Sequence, residues 1–140
     1  MADIPDAMLR RLRREAGPRC GYCRTSSSIT GQPLTVEHII PIARGGPSTE
    51  ENLWLSCRRC NEYKGAQVEA ADPETGEDVL LFNPRHRVWR EHFAWSSDGT
   101  RILGLTPCGR ATIVALKMNN EDIVAARLLW AGAGWHPPQE

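Results

Sequence analysis

The chain has almost no lysine. Of its 17 basic residues only Lys64 and Lys117 are lysines, and the remainder are arginines. It also lacks any apolar run near the roughly 20 residues needed to cross a bilayer, so the sequence predicts no membrane partner. The start, MADIPDAMLRRLRRE, has no apolar core of a secretory signal, and a cytoplasmic protein is expected. No repeat and no low-complexity tract is visible. Net charge is absent as well, but the zero hides a split. Residues 1–64 carry 10 basic and 7 acidic side chains, residues 65–80 carry 5 acidic and none basic, and residues 81–140 carry 7 basic and 5 acidic. Arginine's planar fork suits phosphate better than an ammonium does, though genome composition produces the same bias.

At 140 residues the chain has room for one domain, or one compact domain with an added layer. The division expected is residues 1–70, a helix and a small core, and residues 71–140, an extension packed on or beside it. The fold class expected is α+β.

The five cysteines are more informative: Cys20-x-x-Cys23, Cys57-x-x-Cys60 and a solitary Cys108. In a reducing compartment two such pairs match the knuckles of a structural tetrathiolate zinc site. Reduced core thiols or a redox pair are the alternative reading. Cys108 reads as a small buried apolar residue.

Residues 5–16 predict a helix, capped by Asp3 or Asp6, with Pro5 in the first turn and Gly17-Pro18 at the end. Met8, Leu9, Leu12 and Ala16 form its apolar stripe. Arg10, Arg11, Arg13 and Arg14 cover the other faces, either solvated or against phosphate. Residues 33–38 and 52–56 predict short strands, and the segment from Cys57 to Ala70 a helix that Gly65 weakens. Residues 70–80 read as an acidic connector. HFAWSSDGTRILGL predicts a hairpin closed at Asp98-Gly99 by a type I′ turn. Thr106-Pro107 opens a helix to about Met118, and Asn120-Glu121-Asp122 another to about Ala131. Trp54, Trp95, Trp130 and Trp135 read as packing residues.

Between Cys20 and Lys64 the elements follow a specific order: C20-GY-C23, V36-EHIIP-41, Gly45-Gly46, Asn52-Leu53, C57-RR-C60-Asn61 and Lys64-Gly65. This order resembles the zinc-containing branch of the HNH endonucleases, built on a ββα-metal core. The C-terminal runs DPETG, LFNPR, WREHFAWSSDG, GRAT and WHPP also resemble those of some HNH proteins, more loosely. The resemblance implies His38 as general base, Glu37 and Asn61 as ligands of a catalytic Mg²⁺ or Mn²⁺, and Asn52 as the residue that fixes the loop behind His38. It further implies Zn²⁺ on Cys20, Cys23, Cys57 and Cys60. Many relatives carry Asp at the position of Glu37, and the third signature position is Asn61 rather than His.

The chemistry is consistent without the family. Phosphodiester hydrolysis needs an activated water and neutralisation of the charge building on phosphorus and the departing oxygen. A histidine titrates near neutrality, and Glu and Asn supply hard oxygens for Mg²⁺ or Mn²⁺. Ile39, Ile40 and Ile42 are expected to anchor the loop on the small core, and Gly45-Gly46 to permit a sharp turn or a close approach to DNA. Arg58, Lys64, Arg85, Arg87 and Arg90 are candidate phosphate contacts, each balanced against a solvated or structural role. His86 and His92, six apart, are out of helical register for a second metal site. The function expected is a metal-dependent endonuclease on double-stranded or structured DNA, cutting both strands only as a homodimer or by acting twice. A zinc-dependent nucleic-acid-binding module without catalysis is the alternative, and an interaction domain on a nuclease scaffold is a second one.

Overall fold

The computed structural model describes residues 4–139. They divide into two compact units: residues up to Val68 with Asn83–His86, and Glu69–Phe82 with residues from Arg87 onward. Each mixes helices with a two-stranded antiparallel sheet or two, an α+β arrangement.

The first unit opens with α1, Asp6–Ala16. Pro5 occupies the N-cap position with no side-chain bond and Asp6 lies within the first turn rather than capping it; Asp3 lies outside the described residues. Gly17 ends the helix at φ 67°. Leu12 is the buried residue of the apolar stripe and packs with Leu53 and Leu55, flanked by Met8, Ala16, Leu34, Val36 and Trp54. A one-turn helix, α2 (Ser27–Thr30), capped by the Ser26 hydroxyl, interrupts the segment read as turn-rich. Strands β1 (Thr35–His38) and β2 (Leu53–Ser56) pair antiparallel, with Glu37 opposite Trp54 and His38 opposite Leu53. Helix α3, Arg58–Lys64, follows at once, its N-cap Cys57 accepting from the Cys60 amide. Gly65 takes φ 53° and stops it, so the helix expected to run on to Ala70 ends at Lys64 instead. Gly21 is required by contact: a Cβ there would lie 2.3 Å from the Trp54 ring and 2.8 Å from Pro84.

The second unit starts where a connector was expected. Residues 69–71 and 78–80 are strands β3 (Glu69–Ala71) and β4 (Asp78–Leu80), paired antiparallel. Asp72 makes the turn between them: it is fully buried, and its carboxylate takes both Arg110 Nε and Nη2 at 2.9 Å with Thr75 Oγ1 at 3.0 Å. Acidic composition there signals a built turn because the counter-ion comes from far along the chain. Helix α4 (Trp89–His92) leads into β5 (Phe93–Trp95), which pairs with β6 (Ile102–Gly104). The Ser96–Arg101 loop between them has a positive φ only at Gly99, so it is not the expected type I′ turn; Asp98 instead bonds the Ser96 and Thr100 hydroxyls. Helices α5 (Pro107–Ala115, capped by Thr106) and α6 (Glu121–Gly132, capped by Asn120) complete it, α5 ending a turn early.

Phe82, Trp89 and Phe93 form the aromatic centre, with ring centroids 5.2 Å and 5.1 Å apart. Arg127 is wholly buried, donating to the carbonyls of Thr100 and Met118 and to Asn119 Oδ1. Trp135, read as a packing residue, is instead 61% exposed, while its neighbour His136 is buried and bonded to the Gly99 carbonyl. No helix among the described residues is long and apolar enough to cross a membrane.

Candidate metal centre and active site

Two knuckles bring Cys20, Cys23, Cys57 and Cys60 together, every sulfur within 4.8 Å of the others. In the first, the amides of Tyr22 and Cys23 point at Cys20 Sγ, at 3.4 and 3.5 Å. Arg24 then adopts φ 65°, the left-handed turn that closes the knuckle. In the second, the Cys60 amide points at Cys57 Sγ, 3.4 Å away. Cys23 and Cys57 Sγ are 3.7 Å apart, close to the ~3.8 Å edge of a tetrahedron with Zn–S of about 2.3 Å. Hydrogen bonds from the neighbouring thiols hold Cys23 well below the usual thiol range, whereas burial pushes Cys20 well above it. Such a set of crowded thiols, three buried and Cys57 half-buried, can hold a zinc ion, which makes thiolates of them. Arg59, which the sequence did not single out, directs Nη2 at Cys23 Sγ from 3.9 Å.

The strand end beside this cluster carries the other candidates. Glu37 is 3% exposed. Its Oε1 accepts from Lys64 Nζ at 3.3 Å, and its Oε2 is buried without a hydrogen-bond partner. Burial raises its pKa, with Lys64 pulling the other way. Asn61, on α3, donates from Nδ2 to Thr35 Oγ1 at 3.0 Å. Thr35 and Glu37 are two apart on β1 and so share a face, which α3 covers with Asn61 and Lys64. That leaves the Asn61 side-chain oxygen Oδ1 and Glu37 Oε2 as the two side-chain oxygens of this face not spent on those bonds.

His38 follows Glu37 and is half-buried, its Nε2 2.9 Å from Ser48 Oγ. Burial first, and Lys64 second, lower its pKa from the ordinary histidine value. Ser48 carried no signal in the sequence, because nothing local marks which loop hydroxyl will reach the ring. Asn52 is buried and holds the loop: Oδ1 accepts from the Ile40 amide at 2.8 Å, and Nδ2 donates to the Ile40 and Pro47 carbonyls at 3.0 and 2.9 Å. The isoleucine anchor is corrected accordingly. Ile40 and Ile42 are 47% and 55% exposed, so polar clamping by Asn52 does the holding. Gly45 turns the chain at φ 81°, and Gly46 lies so close to the Ile40 carbonyl that a Cβ would overlap it at 1.7 Å.

The candidate phosphate contacts separate. Lys64 is buried with its donors on protein groups, and it is corrected from a DNA contact to an internal one. Arg85 is 12% exposed along its side chain, bonded to the Leu53 carbonyl and Glu15 with its guanidinium 5.1 Å above the Trp54 ring. It is corrected likewise, because Nε and Nη1 are taken up by the first unit's own groups and Nη2 is buried. Arg58 is exposed and pairs with Glu62 one turn on. Arg87 and Arg90 are exposed and belong to the second unit. His86 lies 3.3 Å from Glu51, and His92 bonds Thr106, so the two histidines serve separate contacts.

Residues 20–67 match the model of the HNH endonuclease family. The matched segment holds both knuckles, β1, β2 and α3, a ββα arrangement beside the four-cysteine cluster. The chain is 44% identical over 48 residues to the CRISPR-associated endonuclease Cas9 of Corynebacterium diphtheriae, covering 34% of this chain and 4% of that protein. It is 26% identical over 112 residues to the Septu protein PtuB of Bacillus mycoides, covering 63% of this chain and 38% of PtuB. The chain thus spans well under two thirds of either relative. No solved structure matches it.

Proposed function

We propose that residues 20–67 form an HNH domain and that it is a metal-dependent DNA endonuclease. The observation that carries the reading is one strand end delivering, in consecutive residues, a buried carboxylate oxygen with no partner and a histidine biased to its neutral form. Glu37 Oε2 and Asn61 Oδ1 fit a hard divalent ion such as Mg²⁺ or Mn²⁺, and the four cysteines fit a structural Zn²⁺ that would tie the knuckles to β2 and α3. When bound, the divalent ion supplies positive charge for the phosphorane and the departing 3′ oxygen.

The chain's own residues do the rest. His38 Nε2 exchanges the Ser48 hydroxyl for a water and takes that water's proton as its oxygen attacks phosphorus. The bond from phosphorus to the 3′ oxygen breaks, giving a 5′-phosphate and, after protonation, a 3′-hydroxyl. Ser48 holds the ring between turnovers, and Asn52 keeps the 40–47 loop in one conformation behind it. Exposed Arg58 would meet a DNA backbone by exchanging Glu62 for phosphate, and Arg87 and Arg90 are assigned the same role.

Plasmid cleavage with Mg²⁺ or Mn²⁺, with EDTA, and by His38→Ala tests this. Metal-requiring conversion of supercoiled DNA that the variant abolishes is the expected result. Two equally inert proteins that both bind DNA would favour the zinc-dependent binding module. Only neutral imidazole can accept the proton, so a lowered pKa keeps His38 competent on the acid side of about 6.5. The acid limb of the cleavage rate is therefore expected below that pH, and a limb above it would contradict the assignment.

A further inference from the structure

Lys64 is the last residue of α3 and only 1% exposed. Its Nζ donates to Glu37 Oε1 at 3.3 Å, to the His38 carbonyl at 3.2 Å and to the Ile39 carbonyl at 2.9 Å. An ammonium has three protons, and each has an acceptor here, so none is left for phosphate. Burying an ammonium is costly unless it is paired and fully hydrogen-bonded. A lysine retained here for bulk alone would be outdone by methionine, which fills similar space without a charge.

Where those bonds end is the informative part. Two go to the peptide carbonyls on either side of the residue boundary between His38 and Ile39, and the third goes to the carboxylate just before. Asn52 grips the next residue, Ile40, through both its amide and its carbonyl. The strand end is thus anchored twice over adjacent residues, by Lys64 from α3 and by Asn52 ahead of β2. Resting on the nuclease reading above, we propose that Lys64 is a positioning residue of the active site. It ties α3 to the backbone of His38 and Ile39 and pins Glu37 by one oxygen, so that the imidazole and Glu37 Oε2 are presented in a single arrangement. A flexible strand end would leave the base and the ligand oxygen to sample several positions, and a displacement of an ångström is enough to slow a reaction about 100-fold.

The test compares Lys64→Met, Lys64→Arg and Leu12→Ala, the last weakening the same unit through its apolar cluster. Zinc content and melting temperature report folding, amide NMR signals of residues 37–40 report order, and single-turnover cleavage separates kcat from KM. Lys64→Met is expected to keep its zinc, to show broadened or doubled signals at His38 to Ile40, and to lose about 100-fold in kcat at unchanged KM. Lys64→Arg recovers at least about tenfold of that loss, because its fork still reaches carbonyl oxygens. Leu12→Ala lowers the melting temperature and leaves kcat within a few-fold. A Lys64→Met protein whose kcat loss is no larger than that of Leu12→Ala, or whose 37–40 amides stay sharp and unshifted, overturns the proposal. Should Lys64→Met lose its zinc, the same comparison is made on Lys64→Gln. If the wild-type protein cuts no DNA, the nuclease reading has failed, and the 37–40 amide signals alone then decide whether Lys64 orders the segment.

Discussion

In the first unit the fully buried aliphatic cluster is Leu12, Leu53 and Leu55, and the cysteine knuckles stand beside it. The second unit has no group of metal-ligating side chains among its described residues and instead buries Phe82, Trp89, Phe93, Ile102, Leu116, Met118 and Ile123. It also closes its loops on buried charge, Arg127 at the centre and Asp72 with Arg110 at the β3–β4 turn. A small apolar core supplies too little area to hold a domain by itself. A zinc ion, which the four cysteines can hold, would make up the deficit in a unit that also keeps the polar groups Glu37, Asn52 and Lys64 inside. The second unit buries charge as well, Arg127 and Asp72, within a larger aromatic and aliphatic core.

The largest effect expected is from breaking the metal side of this contrast. Cys57→Ser, or prolonged chelation, removes an interaction worth about 10 kcal/mol or more in zinc-dependent domains. The amide spectrum of the first unit should collapse while the second unit's aromatic signals remain dispersed. Collapse of both would refute separate means of support. Next comes Phe93→Ala, a 1%-exposed ring between Phe82 and Trp89. About 3–5 kcal/mol of stability should go from the second unit, read by denaturant titration, with zinc content unchanged. Asn52→Ala removes a buried amide and leaves the Ile40 amide and two carbonyls unmatched. A loss of about 1–3 kcal/mol is expected, together with slower cleavage. Normal stability would show that the loop holds itself.

The smallest effect concerns acid. Arg110 foremost, then the Glu74 amide and the Thr75 hydroxyl, hold the Asp72 carboxyl well below the usual carboxylate range. A depressed folded pKa adds stability that is complete above the unfolded value, about 3.9, and is lost as pH falls toward the folded one. The melting temperature should therefore be insensitive to this pair above about pH 5 and decline below about 4. Asp72→Asn should remove that part of the decline, and an unchanged acid profile would show the pair to be idle.

Much of the architecture was legible because it depends on local signals. The 3.6-residue spacing of Met8, Leu12 and Ala16, the caps Thr106 and Asn120, and the short runs either side of the Asn52 loop each act within a few residues. The misses share a different cause. Residues 69–71 look helical and become β3 because Gly65 turns the chain and residues 78–80 are there to pair with. Ile40 and Ile42 look like core anchors and lie at the surface, since Asn52 already fixes their backbone. Trp135 is exposed because the neighbouring His136 takes the buried place beside Trp95, at a ring distance of 4.4 Å.

The sequence by itself determined the family match over residues 20–67, the two knuckles, the strand pair and the order of Glu37, His38, Asn52 and Asn61. Spacing is a local property that a chain carries into any fold. Only the tertiary structure decided that Lys64 and Arg85 face inward, that Ser48 meets His38 and that Asp72 meets Arg110. Those partners lie 10 to 38 residues apart, and whether a charged side chain finds water or a counter-ion is settled when distant segments pack.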